Sequence, residues 1–177
     1  MIYPAKNSTG FTERNLSVNF AKAYESVYHK SVTWFEFQFG EKNNLHYDAV
    51  IINPEEREIL IIESKRFNKP SKRIEGVKAD VLRINRIITN YSSEFTERIS
   101  DYSSYNTYGV ILADVWTETK SKIKIYDSFC KNRFLIENNI NLGSDVEYNI
   151  IDFDKVKQFQ IIKNNYHLVS FAWQIKR

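Results

Sequence analysis

Three charged residues stand where two apolar segments of the chain begin and end. Asp48 opens one segment, and after fourteen intervening residues Glu63 and Lys65 close the next. Charged groups at the ends of buried segments are costly unless they are paired, bind a metal or line a cleft. Mg²⁺ takes one or two carboxylates and keeps its other positions for water and phosphate oxygens. With a lysine to orient or deprotonate a bound water, such a set predicts phosphodiester hydrolysis.

The spacing of these residues fits a β-hairpin that would bring them together. The apolar runs 49–52 and 59–62 flank Asn53-Pro54, a dipeptide that favours a turn. Because side chains alternate along a strand, Glu63 and Lys65 share one face of the second strand. Both faces of that strand are apolar before Glu63, which predicts a central strand covered on both sides.

Hydrophobic periodicity predicts the other elements and a mixed α/β order. The fold class expected is α/β, with a central mixed β-sheet flanked by helices. The predicted elements are a helix over 12–29 capped by Thr12, a strand over 32–39, a helix from about 74, a strand over 108–116, a helix over 128–137, and strands over 147–153 and 168–175.

Two of these elements carry more detailed expectations. In the strand 32–39, alternation predicts that three phenylalanines share one face, namely Phe35, Phe37 and Phe39. After a polar loop over 68–73, the helix from 74 presents an apolar stripe inward, formed by Val77, Val81, Ile84 and Ile88. Its outward face then carries Lys78, Arg83 and Arg86.

The positive charge of the chain is concentrated in the segment that begins at Lys65. The whole chain has 25 basic and 22 acidic residues, a formal charge of +3. The stretch 65–86 holds eight basic residues and two acidic ones, so it carries an excess of +6, and the remainder is slightly acidic. Such a stretch can bind a nucleic-acid backbone, or it can be a solvated cationic helix face.

Composition limits the remaining possibilities. A hydrophobic share of 42% with 15% aromatic residues argues against intrinsic disorder, and 177 residues suit one domain over 1–177. One cysteine and three histidines supply no zinc cluster, so a metal would need oxygen ligands. No apolar stretch suits a membrane span or a signal peptide, and we expect a soluble, cytoplasmic protein with no membrane partner.

The pattern Asp48, then Glu63-Ser64-Lys65 at the end of an apolar strand, resembles the PD-(D/E)xK nuclease superfamily. The resemblance spans about residues 12–116 and implies the restriction-endonuclease-like fold. Tyr47 stands where the family name has proline, a variation that does not touch the metal ligands. The motif itself is short, so its weight comes from the surrounding strand, hairpin and helix.

The resemblance implies roles for particular residues. Asp48, Glu63 and the carbonyl of Ser64 would bind Mg²⁺, for which Mn²⁺ can substitute, and Lys65 would position the attacking water. Glu13 in the first helix would complete the metal shell as an outer acid. The substrate expected is DNA, whose backbone would contact the basic residues Lys69, Lys72, Arg73, Lys78, Arg83 and Arg86. Cleavage of both DNA strands usually needs two active sites. If the protein cuts both strands, the resemblance therefore favours a homodimer.

Other interpretations of the same residues stay open. Glu63 and Lys65 could form an exposed salt bridge, worth at most about 1 kcal/mol. Glu13 could simply be favoured in the first turn by the helix dipole. The chain as a whole could be a catalytically inactive nuclease-fold domain that binds nucleic acid or a protein partner, or a nuclease that acts on RNA.

Overall fold

The structure is a computed structural model that describes residues 13–39, 45–67, 70–117, 119–142, 145–152 and 166–176. Five α-helices are formed in these ranges: α1 (Glu13–Val27), α2 (Pro70–Asn85), α3 (Ile87–Arg98), α4 (Lys120–Cys130) and α5 (Phe134–Glu137). Six strands are formed: β1 (Val32–Phe39), β2 (Leu45–Asn53), β3 (Glu58–Arg66), β4 (Asn106–Trp116), β5 (Val146–Asp152) and β6 (Tyr166–Gln174). A short 3₁₀ helix, Tyr102–Ser104, precedes β4.

The strands form one mixed sheet in the order β1-β2-β3-β4-β6-β5. β1, β2 and β3 pair antiparallel, β3 and β4 pair parallel, and β6 pairs antiparallel with both β4 and β5. The parallel pair is joined by a crossover through α2 and α3, as parallel neighbours require. The chain is therefore an α/β protein with a six-stranded mixed sheet flanked by helices, which confirms the fold class at that level.

The two faces of the sheet pack into two separate apolar clusters. The larger cluster lies under α2 to α5 and includes Val77, Val81 and Ile84 of α2. The smaller cluster lies under α1, where Ala21 packs with Ala49 and Ile62. Helices α1 and α2 therefore cover opposite faces of the sheet.

Strand β3 is buried on both faces, as the sequence predicts. Ile59 and Ile61 belong to the larger cluster, Ile62 belongs to the smaller one, and all three side chains are fully buried. Burying an isoleucine side chain stabilises a fold by about 1.5–3 kcal/mol. This burial anchors the strand that ends in Glu63 and Lys65.

The prediction that three phenylalanines share a face of β1 is wrong for Phe35. Phe37 and Phe39 are in the core, but Phe35 is 39% exposed. The reason is Glu36, whose φ of 51° is left-handed and shifts the alternation of the strand by one residue. Trp34 accordingly packs with Phe37 in place of Phe35, while the register against β2 stays the same on both sides of Glu36.

The helix predicted from residue 74 begins earlier and ends sooner. It starts at Pro70, so residues 70–73 of the predicted loop are helical, and proline suits a first helical position because it needs no amide partner there. It stops at Asn85, and α3 begins at Ile87, which is buried. The stripe therefore ends at Ile84, and the side chain of Ile88 lies outside the described part of the chain.

Two further boundaries differ from the predictions. The helix predicted over 128–137 is divided into α4 and α5, because Asn132 has a left-handed φ of 53° between them. The cap expected at Thr12 lies outside the described residues. Among the helices described, none has the length and apolar character needed to cross a membrane.

Candidate active site

Asp48 and the Glu63-Ser64-Lys65 motif meet at one end of the β2–β3 hairpin. The register between these strands runs from Asn53–Glu58 to Ala49–Ile62, one step short of Asp48 and Glu63. At that step the backbone N–H of Ser64 donates a hydrogen bond to Asp48 Oδ2, at 2.7 Å. A side-chain carboxylate thus fixes the strand at the centre of the motif.

Glu63 is almost completely buried. Its side chain is 4% exposed, its Oε1 accepts a hydrogen bond from Arg83 Nη2, and its Oε2 lies 3.7 Å from Lys65 Nζ. Burial, together with the negative charges of Asp80 and Asp48, raises the pKa of Glu63 to about 8, against the lowering effect of Arg83 and Lys65. The alternative of an exposed salt bridge between Glu63 and Lys65 is therefore wrong.

Lys65 is held by a residue of the following helix. Its Nζ lies 2.6 Å from Asp80 Oδ2, and the lysine side chain is only 13% exposed. The contacts of this ammonium group with Asp80 and Glu63 are ion pairs, and both carboxylates lie on the same side of it. The amine of Lys65 is consequently directed to the same place as the carboxylate of Glu63.

Asp80 and Arg83 also belong to the cluster. The sequence predicts Arg83 as an outward-facing contact for nucleic acid and predicts no role for Asp80. Arg83 Nη2 lies 2.9 Å from Asp80 Oδ1, as an i,i+3 pair on α2. The guanidinium of Arg83 also lies over the ring of Tyr47, at 5.0 Å from its centroid. The prediction that Arg83 is on the outward face of the helix is therefore wrong.

A signal for Asp80 was present in the sequence. It lies three residues after Val77 and four before Ile84, so helical geometry places it along the buried stripe. An acidic residue on a buried stripe needs a cationic partner or a hydrogen bond. Arg83, three residues later, lies at the margin of that stripe and turns toward it because Glu63 and Asp80 attract it.

The net charge of the cluster depends on the protonation of Glu63. With a pKa of about 8, Glu63 is mostly protonated at pH 7, and Asp48 and Asp80 then balance Lys65 and Arg83. When Glu63 ionises, these five groups carry one excess negative charge, which attracts a cation to this end of the sheet.

The ligand chemistry of the site fits a hard divalent cation. Within the ranges that the structure describes, no three His, Cys, Asp or Glu side chains are grouped closely enough to hold a metal ion. The motif offers two carboxylates, those of Asp48 and Glu63, with the carbonyl of Ser64 between Glu63 and Lys65. Oxygen ligands in this small number suit Mg²⁺ or Mn²⁺, which keep several positions for water.

Glu13 and Lys69 are predicted site residues whose side chains lie outside the described part of the chain. The backbone of Glu13 begins α1, and this helix packs on the face of the sheet opposite α2. Its expected role as an outer acid stays a prediction.

The remaining basic residues lie on or after α2. Lys72 and Arg86 are exposed, Arg73 is partly buried, and Lys78 donates a hydrogen bond to Glu75 at 2.8 Å. They are on the same helix that supplies Asp80 and Arg83, apart from Arg86, which follows it. Their expected contact with nucleic acid stays a prediction.

A cavity of about 550 Å³ lies at the other end of β3. It is lined by Glu58, Tyr108, Asp145 and Glu147, among others. Glu58 is the first residue of β3 and Lys65 the eighth, which separates the two places by roughly 20 Å of strand. The carboxylates around this cavity repel phosphate, so the cavity does not extend the candidate active site.

Comparison with known proteins assigns the chain to no family and to no known fold group. No family model matches the chain, and searches of curated proteins and of solved structures found no significant match. A function for this chain is therefore inferred from its own residues and their arrangement.

Proposed function

We propose that this protein is a Mg²⁺-dependent nuclease that hydrolyses phosphodiester bonds in DNA. The observation that carries the proposal is the 2.7 Å hydrogen bond from the Ser64 amide to Asp48, which joins the aspartate to the Glu63-Ser64-Lys65 motif. The two carboxylates of the sequence pattern have fourteen residues between them along the chain, and they lie at the same end of the β2–β3 pair, one step beyond Ala49–Ile62.

The order of the elements supports the restriction-endonuclease-like assignment. A helix, three antiparallel strands, a helical crossover and a strand parallel to the third follow one another from α1 to β4. This is the order in which the resemblance to PD-(D/E)xK nucleases places the first helix, the aspartate strand and the Glu-x-Lys strand. The finer fold assignment is part of the proposal.

In this proposal Asp48, Glu63 and the Ser64 carbonyl hold the cation. When bound, the cation would polarise the phosphoryl group and lower the pKa of a coordinated water. Lys65 is paired with Asp80 at 2.6 Å and therefore serves as a hydrogen-bond donor that orients the attacking water or a phosphate oxygen. Residues Lys72, Arg73, Lys78 and Arg86 contribute positive charge along the path of the backbone.

A second candidate is a nuclease-fold domain without catalysis that binds nucleic acid or a protein partner. The observation that favours it is that Glu63 already contacts Arg83 and lies near Lys65. These two side chains balance the charge of an ionised Glu63 without a metal ion. Divalent-ion binding separates the two candidates, because only the nuclease needs an ion between Asp48 and Glu63.

The test is cleavage of single-stranded, double-stranded and branched DNA, with RNA in parallel, in the presence of Mg²⁺ or Mn²⁺. The variants Asp48→Asn and Lys65→Ala should lose at least a hundredfold in rate, since each removes a group from the reacting centre. Matched controls are Asp127→Asn and Lys124→Ala, two exposed positions on α4. If both site variants cleave as fast as the wild type, Asp48 and Lys65 are not active-site residues. If the protein cleaves RNA and not DNA, the proposed substrate is wrong.

A further inference from the structure

We infer that Arg83 competes with the divalent cation for the carboxylate of Glu63, and that Asp80 holds Arg83 in the competing position. This inference rests on the proposed cation site. It assigns Arg83 and Asp80, two residues outside the Asp48/Glu63/Lys65 pattern, a role in controlling access to that site.

The burial of Glu63 limits access to its carboxylate. With a side chain only 4% exposed, its carboxylate can be approached from few directions. One oxygen is bound by Arg83 Nη2, and the other faces Lys65 Nζ at 3.7 Å. A cation that binds this carboxylate must therefore take the place of one of these groups, and the contact with Arg83 is the closer one.

Arg83 has anchors other than Glu63. Its Nη2 lies 2.9 Å from Asp80 Oδ1, and its guanidinium lies over the ring of Tyr47. Asp80 is itself fixed by Lys65 at 2.6 Å. When Arg83 leaves Glu63, these contacts keep the guanidinium beside the site instead of releasing it to solvent.

The charge balance of the site suits the displaced guanidinium of Arg83 to bind a phosphate group. With Glu63 ionised, the state in which it binds a cation, the five groups carry one excess negative charge, and a divalent cation would change this to one excess positive charge. A phosphodiester contributes one negative charge and restores neutrality. The Nε of Arg83 is buried and has no hydrogen-bond partner within the described ranges, so a donor remains for a phosphate oxygen.

The experiment is a calorimetric titration with Mn²⁺ alone, without nucleic acid. Arg83→Gln should bind Mn²⁺ about tenfold more tightly than the wild type, because a competing unit charge next to the ligand is removed. The matched control is Arg86→Gln, an exposed position three residues later, whose affinity should stay within twofold of the wild type. Adding Glu63→Gln should abolish the gain in the Arg83→Gln background.

A second measurement uses the wild-type protein, in case the variant does not fold. In ¹H–¹⁵N spectra of arginine side chains, the Nε–H resonance of Arg83 should shift on addition of Mg²⁺, and it should not shift in Glu63→Gln. The Arg86 resonance should move in neither protein.

The outcomes separate the inference from the proposed function. If the wild type binds Mn²⁺ and Arg83→Gln binds it no more tightly, the competition is wrong and the cation site stands. If neither protein binds Mn²⁺, the cation site is wrong and the competition with it. If Arg83→Gln binds more tightly but the wild type cleaves no nucleic acid, the competition stands and the nuclease function is wrong.

Discussion

Lys65 and Asp80 form an ion pair of 2.6 Å that connects the end of β3 to the middle of α2. The two side chains are 13% and 10% exposed, so water screens the pair only weakly. Asp80 also lies 2.9 Å from Arg83, which makes it the shared partner of two cations. Its loss should therefore affect the stability of the fold as well as any activity.

We expect Asp80→Asn to lower the free energy of unfolding by roughly 2 kcal/mol or more at pH 7. Breaking a buried ion pair costs about 3–5 kcal/mol, and the partial exposure of Arg83 reduces this figure. Urea denaturation of the purified protein measures the change. Asp127→Asn on the exposed face of α4 is the control, and it should change the free energy by less than about 0.5 kcal/mol. Equal stabilities of the two variants would show that Asp80 is not a shared structural partner.

The raised pKa of Glu63 predicts a pH-dependent effect of Glu63→Gln in the absence of divalent ions. Since burial raises this pKa from 4.5 to about 8, the folded protein binds the proton more tightly than the unfolded chain does. The contribution of Glu63 to stability is therefore fully present below about pH 4.5 and is lost as the pH rises through 8.

Glutamine cannot ionise, so the variant should be more stable than the wild type at pH 8.5, by on the order of a few kcal/mol. The difference should shrink toward zero near pH 4.5. Thermal unfolding with EDTA over this pH range measures it. A difference that does not vary with pH would contradict the raised pKa.

The left-handed backbone at Glu36 predicts an inverted preference between glycine and alanine. Because φ is 51° there, Glu36→Gly should be more stable than Glu36→Ala by about 1 kcal/mol. At Gln38, two residues later in the same strand, glycine should instead be the less stable of the two. Chemical denaturation of the four variants tests this, and the same order at both positions would argue against the interruption of β1.

The basic residues of α2 predict the salt dependence of DNA binding. Replacing Lys72, Arg73 and Lys78 by glutamine should weaken binding and reduce the slope of log K against log salt by about 2 to 3. Binding is measured in EDTA, so that no cleavage occurs. The control replaces three lysines of α4, Lys120, Lys122 and Lys124, by glutamine. An unchanged slope in the α2 variant would mean that these residues are only a solvated cationic face.

The sequence predicts the hairpin and its motif well because the information is local. The continuous apolar runs on either side of the Asn53-Pro54 turn determine β2 and β3, and the alternation of side chains places Glu63 and Lys65 on one face. The extent of helix α1 is predicted in the same way from the spacing of Leu16, Phe20, Ala23 and Val27, but its buried face is not. Val27 is 67% exposed, and Ser17 and Ala21 are buried beside Leu16 instead. Each of these predictions needs only neighbours in the chain.

The sequence does not predict features that depend on a partner from another element. Arg83 is assigned to solvent by helical periodicity, but the buried carboxylate of Glu63 draws it inward. Phe35 is assigned to the core by alternation, but the left-handed Glu36 turns it outward. Hydrophobic periodicity describes one helix or strand at a time. It is overridden for Arg83 by an ion pair with another element and for Phe35 by the backbone conformation of its neighbour.

Four of the five charged groups at the candidate site come from residues 63–83, a single strand followed by a single helix. The fifth, Asp48, is tied to a backbone amide of that same stretch. The charge arrangement is thus a local unit of residues 48–83 inside a sheet whose strands β4, β5 and β6 come from later parts of the chain. Strand β6 still contacts this unit, because Trp173 Nε1 donates a 2.7 Å hydrogen bond to Asn85 Oδ1 at the end of α2. A substitution of Trp173 should therefore loosen the helix that carries Asp80 and Arg83.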